Sequence, residues 1–141
     1  MYERILLATD GSEAAERATA EAIDLAVATG AELVVLSVAD TTVYSTVTIE
    51  GQVDDVLERE SETIAGAVVE RANDRGVAAE SVVRQGRPWE EIRDAARDLD
   101  VDLVVMGTSG ESGLSRALLG STTDRVLREA SLPVHVVPPA E

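Results

Sequence analysis

Five short aliphatic runs, RILLAT (4–9), ELVVLSV (32–38), AESVVRQG (79–86), VDLVVM (101–106) and PVHVV (133–137), alternate with four segments whose apolar residues recur at helical spacing. No other feature constrains the fold as strongly. A strand with one face in water alternates apolar and polar residues, whereas a strand buried on both faces reads as a continuous apolar run. Runs of the second kind, separated by helices, predict the order β-α-β-α-β-α-β-α-β and a parallel sheet covered by helices on both faces.

The helices have legible ends. Ser12 is placed to cap a helix that runs to about Thr29, with Glu13 and Glu16 in its first turn and Gly30 supplying the left-handed residue after it. Its inner face is expected to carry Ala15, Ala18, Ala22, Leu25 and Ala26. A second helix is predicted from Val53 to Arg75, with Val53, Val56, Leu57, Ile64, Val68 and Ala72 inward and Gly76 closing it. Pro88 suits the first turn of a third, whose inner face is Ile92, Ala95, Ala96 and Leu99. A fourth runs from about Ser121 to Ala130. Residues 39–52, ADTTVYSTVTIEGQ, fit neither period and read as a loop. With no internal repeat or linker, the 141 residues are expected to form one domain.

In a doubly wound sheet of order 3-2-1-4-5, ligands bind at the carboxyl ends of the strands, where the order reverses between strands one and four. Two of the least regular segments, TDGSE and GTSG…GST, then face each other across that crevice. The second belongs to VVMGTSGESGLSRALLGSTTDRVLREA (104–130), which holds four of the ten glycines. Successive glycines let backbone N–H groups approach one ligand, and a helix opening at Ser121 offers free N–H groups and a dipole that favour an anion. A phosphate chain is the obvious anion; a capping box with Asp124 is the competing role for Ser121. There is no GxxxxGK[ST], and the order is G-x-x-G rather than GxGxxG, which sets aside the P-loop and the dinucleotide fingerprint.

Charge narrows the partners. The formal net charge of -15 comes from 27 acidic residues against 12 basic ones, every one of them Arg. Such a surface is expected to repel nucleic acid and anionic membranes. No apolar run is long enough to span a bilayer, and the N-terminus lacks a signal peptide's order of charge and apolar residues, so a soluble cytoplasmic protein is expected. The absence of Cys excludes disulfides and thiolate metal sites. An acidic, Lys-free, Phe-free composition resembles that of proteins from extreme halophiles, where the screening length falls to roughly 3 Å at 1 M salt.

ILLATDGSE near the start, ELVVLSV, GRPWEEI, and MGTSG…LLGSTT…VL…LPVHVV at the end resemble, over essentially the whole chain, the nucleotide-binding branch of the universal stress proteins. The frame Gly107, Gly110, Gly120, Ser121 matches that family's G-x2-G-x9-G-[ST] signature for ATP. The resemblance implies a Rossmann-like sheet of the adenine nucleotide alpha hydrolase kind over residues 1–141. It implies adenine and ribose contacts from Ala8, Thr9 and Asp10, with an adenine contact from Val38. Ribose and phosphates are expected at Met106, Gly107, Gly110, Gly120, Ser121, Thr122 and Thr123, with Mg2+ or Mn2+ held through the phosphates. It also implies a homodimer through strand five (Pro133, Val134, His135, Val136 and Val137) and a nucleotide-dependent regulator of the stress response. Slow ATP hydrolysis or nucleotidyl transfer is the alternative, with Glu111, Asp10 and Arg116 as its candidates. Where many relatives carry a basic residue after the second glycine, this chain has Glu111, and Arg116 is the only cation in the nine-residue spacer.

Single residues have simpler roles beside these. Asp10 also suits the turn before the first helix, and Trp89 suits packing. The lone His135 suits the core or a dimer seam better than a metal site. Thr9, Ser109, Thr122 and Thr123 have no adjacent His to make a nucleophile. Gly110→Val and Gly120→Val are expected to abolish ATP binding and leave the fold intact.

Overall fold

The computed structural model describes residues 2–42, 50–109 and 119–140, the side chains of 50–55 excepted. Within them the elements run β1 (Arg4–Ala8), α1 (Glu13–Thr29), β2 (Glu32–Asp40), α2 (Glu50–Asp74), β3 (Ala79–Gly86), α3 (Pro88–Asp98), β4 (Leu103–Gly107), α4 (Ser121–Glu129) and β5 (Val134–Val137). The five strands form one sheet in the order β3-β2-β1-β4-β5, and every pair is parallel. Both the element order and the strand order are those the sequence predicts.

Alternate residues of each central strand serve opposite faces. Ile5, Leu7, Leu33, Val35, Leu103 and Val105 pack with Ala18, Ala22 and Ile23 of α1 and Ala65, Val68 and Ala72 of α2. On the other face, Leu6, Val34, Leu36, Val104 and Met106 pack with Ile92, Ala95 and Ala96 of α3 and Val126 of α4. Small residues on the inner faces of α1 and α3 let those helices sit close to a sheet of branched aliphatics, so a core without Phe closes well.

The predicted caps are present. Ser12 accepts a hydrogen bond from the Ala15 N–H, and Gly30, at φ 75°, closes α1 by donating to Ala26. Gly76 takes φ 80° after α2. Two boundaries move inward on the expected loop: β2 continues to Asp40 because Ala39 and Asp40 pair with Gln85 and Gly86, and α2 begins at Glu50. Residues 43–49 lie outside the described residues. On the helix faces, Leu25 is only half-buried and Val56 is 59% exposed, whereas Thr19, Ile23 and Ala65 are buried. α1 and α2 lie on the same face of the sheet and are bridged by exposed ion pairs: Arg71 of α2 with Glu16 of α1, and Arg75 with Asp24.

Trp89 ties α3 to α4. Its half-buried ring has the Arg125 guanidinium 4.3 Å from its centroid and that of Arg93 at 5.0 Å, the arrangement in which a cation meets the negative face of the ring.

The outer strands differ. Glu80, Ser81 and Gln85 of β3 are exposed, Glu80 is paired with Arg4 at 3.0 Å, and Arg84 is paired with Asp98 at 3.3 Å. On β5, Val134, His135 and Val136 are half-buried at a free edge. His135 lies outside both apolar clusters; its Nε2 is 3.1 Å from a Glu21 carboxylate oxygen on α1.

Leu7 is fully buried between β1's neighbours and the α1–α2 layer. Leu7→Ala is expected to cost about 2–5 kcal/mol in denaturant-monitored unfolding, against under ~0.5 kcal/mol for Val56→Ala on the exposed side of α2.

Candidate functional site

A cavity of about 540 Å³ opens at the carboxyl ends of β1, β2 and β4, where the strand order reverses. That volume is in the range of sites for small organic ligands. Ten of the eleven residues expected to hold a ligand line it: Ala8 at the end of β1 with Thr9 and Asp10 after it, Val38 on β2, Met106 and Gly107 on β4, and the N-cap Gly120 with Ser121, Thr122 and Thr123 at the start of α4. The eleventh, Gly110, lies outside the described residues, as do Glu111 and Arg116.

Each wall has a local cause. Beyond β1 the chain turns through Gly11 at φ 76°, with the Gly11 N–H donating to Thr9 Oγ1 at 3.1 Å and the Ser12 N–H to Asp10 Oδ1 at 3.0 Å. Asp10 therefore does serve the turn before α1, and it also faces the cavity. A Cβ on Gly11 would come within 2.9 Å of Ile64 Cγ1, so glycine here is what lets α2 close over the strand ends.

The opposite wall is backbone. The Gly120 N–H donates to the Thr108 carbonyl at 2.7 Å, and the Thr123 hydroxyl to the Gly107 carbonyl at 2.8 Å. These two bonds fasten the first turn of α4 to the end of β4. The N-cap of α4 is Gly120, without a side-chain cap, and Ser121 is the first helical residue, so the capping box of Ser121 with Asp124 is not formed. The Asp124 N–H reaches back to Gly120, and the N–H groups of Ser121, Thr122 and Thr123 precede it in the turn where a helix has no acceptors of its own. An uncapped helix start facing a cavity is a site for an anion.

The glycines carry a second constraint, which corrects one expectation. A Cβ on Gly120 would lie 3.3 Å from Ser109 Cα and 3.4 Å from the Thr108 carbonyl oxygen; one on Gly107 would lie 3.3 Å from the carbonyls of Ala14 and Ser109. These neighbours are backbone and cannot swing away. Gly120→Val thus strains the junction of β4 and α4 itself and does not leave the fold untouched.

Sequence reasoning missed a third wall. Leu57, Glu60, Ser61 and Ile64 of α2 line the cavity together with Ser37, Ala39 and Asp40 of β2 and Pro88 and Ile92 of α3. Leu57 and Ile64, expected on the core face, are half-buried outside both apolar clusters and line the cavity instead. The signal was present in the hydroxyls: Ser61 sits on an apolar helical stripe and Ser37 inside an aliphatic strand, and both are buried, at 4% and 1% exposure. Buried polar side chains are retained where something is available to satisfy them. Among the described residues no group of three or more His, Cys, Asp or Glu could hold a metal ion, and no helix is long and apolar enough to cross a membrane.

Thr123→Val keeps the shape of a side chain that is 3% exposed and removes the hydroxyl that satisfies the Gly107 carbonyl. It is expected to lower unfolding free energy by about 1–3 kcal/mol in urea titration, because a buried acceptor loses its donor.

Residues 1–138 match the model of the universal stress protein family. A universal stress protein of Methanocaldococcus jannaschii, MJ0531, is 34% identical over 140 residues, covering 97% of this chain and 82% of the relative. The solved structure of the hypothetical protein MJ0577 superposes with a TM-score of 0.90 at 31% identity, covering 100% of this chain and 99% of that one. A universal stress protein solved in complex with cAMP, 24% identical, shares the fold at a TM-score of 0.75, covering 99% and 98% of the two chains.

Proposed function

The chain belongs to the universal stress protein family, and we propose that it is a nucleotide-dependent stress regulator that binds ATP in the cavity between β1 and β4. The observation that carries this reading is the uncapped start of α4 facing a nucleotide-sized cavity, with Gly107 and Gly120 pressed into backbone on either side. In this reading the phosphates lie against the N–H groups of Ser121, Thr122 and Thr123 and the nearby hydroxyls, with Mg2+ or Mn2+ arriving on the phosphates. Gly110, the second glycine of the family's signature, contributes beside them. Adenine and ribose lie over Ala8, Thr9, Asp10, Val38 and Met106, where aliphatic surface meets backbone polar groups.

The working unit in this proposal is a homodimer in the cytoplasm, built through β5 as one domain per subunit. Its support is the contrast between edges: β3 is lined with charge, which discourages strand addition, whereas β5 offers Val134 and Val136. The Lys-free, acidic surface supports a protein that works in concentrated salt, where self-repulsion is screened.

Calorimetric titration with Mg-ATP in concentrated KCl is expected to show saturable binding at one site per chain. Ser121→Glu places a carboxylate at the first helical position, where it favours the helix and repels a phosphate. It is expected to leave the melting temperature unchanged or raised and to abolish that binding; undiminished affinity counts against the assigned cradle. Val136→Lys is expected to convert the dimer to monomer in light scattering, as a charge on the pairing edge should.

A further inference from the structure

We infer that Asp40 and Glu60 make the cavity select its ligand by charge, so that the affinity for an anionic nucleotide rises with ionic strength, and rises more steeply the more phosphates it carries. The inference rests on the nucleotide reading above and concerns what the same site accepts.

The cavity has two electrostatically opposite ends. One is the start of α4, beyond β4, with its free N–H groups and positive dipole end. The other lies beyond β2 and under α2, where Asp40 and Glu60 line the wall, with Asp10 between the two ends. Since the order is β2-β1-β4, the strand ends that carry Asp40 and lead toward α4 are two strand spacings apart, roughly 10 Å. Among the described lining residues there is no cationic side chain. Most described arginines of the central and C-terminal elements are tied elsewhere: Arg71 and Arg75 to α1, Arg84 to Asp98, Arg87 to Glu90, Arg93 and Arg97 to Asp94, Arg125 to Glu129, and Arg128 to Asp124; Arg59 of α2, exposed beside Glu60, is outside the lining. Neither Asp40 nor Glu60 forms an ion pair among the described residues; Asp40 accepts hydrogen bonds from Thr42.

A phosphate chain held at the α4 end therefore shares the cavity with these carboxylates, with no compensating guanidinium in the described lining. At 0.1 M salt the screening length is about 10 Å and the repulsion persists; at 1 M it is about 3 Å and the repulsion is nearly gone. A site that binds phosphates through arginine or lysine has the opposite slope, since salt there screens attraction. Treating the charges as points in water, metal-free ATP is expected to bind about ten-fold more tightly at 1 M KCl than at 0.1 M, and AMP about three-fold more tightly. Adenosine, which carries no charge, should be nearly flat.

The test is equilibrium binding of adenosine, AMP and ATP in EDTA from 0.1 to 3 M KCl, with far-UV circular dichroism confirming the folded state at each point. The wild type is compared with Asp40→Asn/Glu60→Gln and with Glu60→Gln alone, whose site is exposed. The expected result is a rise with salt in the order ATP, AMP, adenosine, reduced for ATP to about two- to three-fold in the double variant, with the single variant in between. Affinity for ATP that falls or stays level as salt rises overturns the inference. So does a rise equally steep for adenosine, which would be salting-out, or a slope unchanged in the double variant. Failure of all three ligands to bind at 3 M KCl, with or without Mg2+, overturns instead the nucleotide reading on which this inference rests.

Discussion

β1 is the central strand of the sheet, paired on one side with β2, which follows it directly, and on the other with β4, brought back from much later in the chain. Its two parallel ladders fix everything above them. Because β2 and β4 leave β1 in opposite directions, the connections after β1 and β4 diverge to opposite faces of the sheet, α1 to one and α4 to the other. Helices that part in this way cannot cover the strand ends between them, and a crevice is left at the top of the sheet. The buried face residues of β1, Ile5, Leu6 and Leu7, are therefore both the centre of the core and the floor on which the site stands.

The site's precision comes from how little side chain is present at the junction of β4 and α4. Gly107 and Gly120 bring two segments of main chain within van der Waals reach, and the bonds Gly120 to Thr108 and Thr123 to Gly107 lock them. The N–H groups of the first turn of α4 are thereby held in place before any ligand arrives. Preorganised donors of this kind bind without the entropy loss of ordering long side chains. The same glycines pack the junction and line the cavity, so residues that look functional in sequence are also structural in space.

The architecture was legible because it depends on periodicity. Continuous aliphatic runs and interrupted helical stripes specify strands and helices over many residues, and a β-α-β chain has few right-handed ways to wind. Gly107 and Gly120, at the two ends of the glycine-rich segment, were legible as well, since glycine at a strand-to-helix turn has a backbone reason to be there. Less legible were features that depend on residues far apart in sequence. Ser37, Ser61 and Glu60 meet the cavity only because α2 leans across β2, and no local pattern states that angle. Ser121 could cap or begin its helix with equal local sense; the bond from Gly120 to Thr108 decides it. The extension of β2 to Asp40 likewise depends on its pairing with Gly86 of β3, not on its own propensity.

The two borders of the sheet finally set a limit on growth. A sheet with two receptive borders can add chains indefinitely, each newcomer presenting the next surface, and such assembly runs to filaments. Here the β3 border is occupied by cross-linked polar groups: the ion pairs of Glu80 with Arg4 and Arg84 with Asp98, and a hydrogen bond from Gln85 to Glu58. Only the β5 border is receptive. An assembly made by that border alone would close on itself after one step, so strand addition through β5 would yield a finite particle even at the high protein concentrations of a crowded cell.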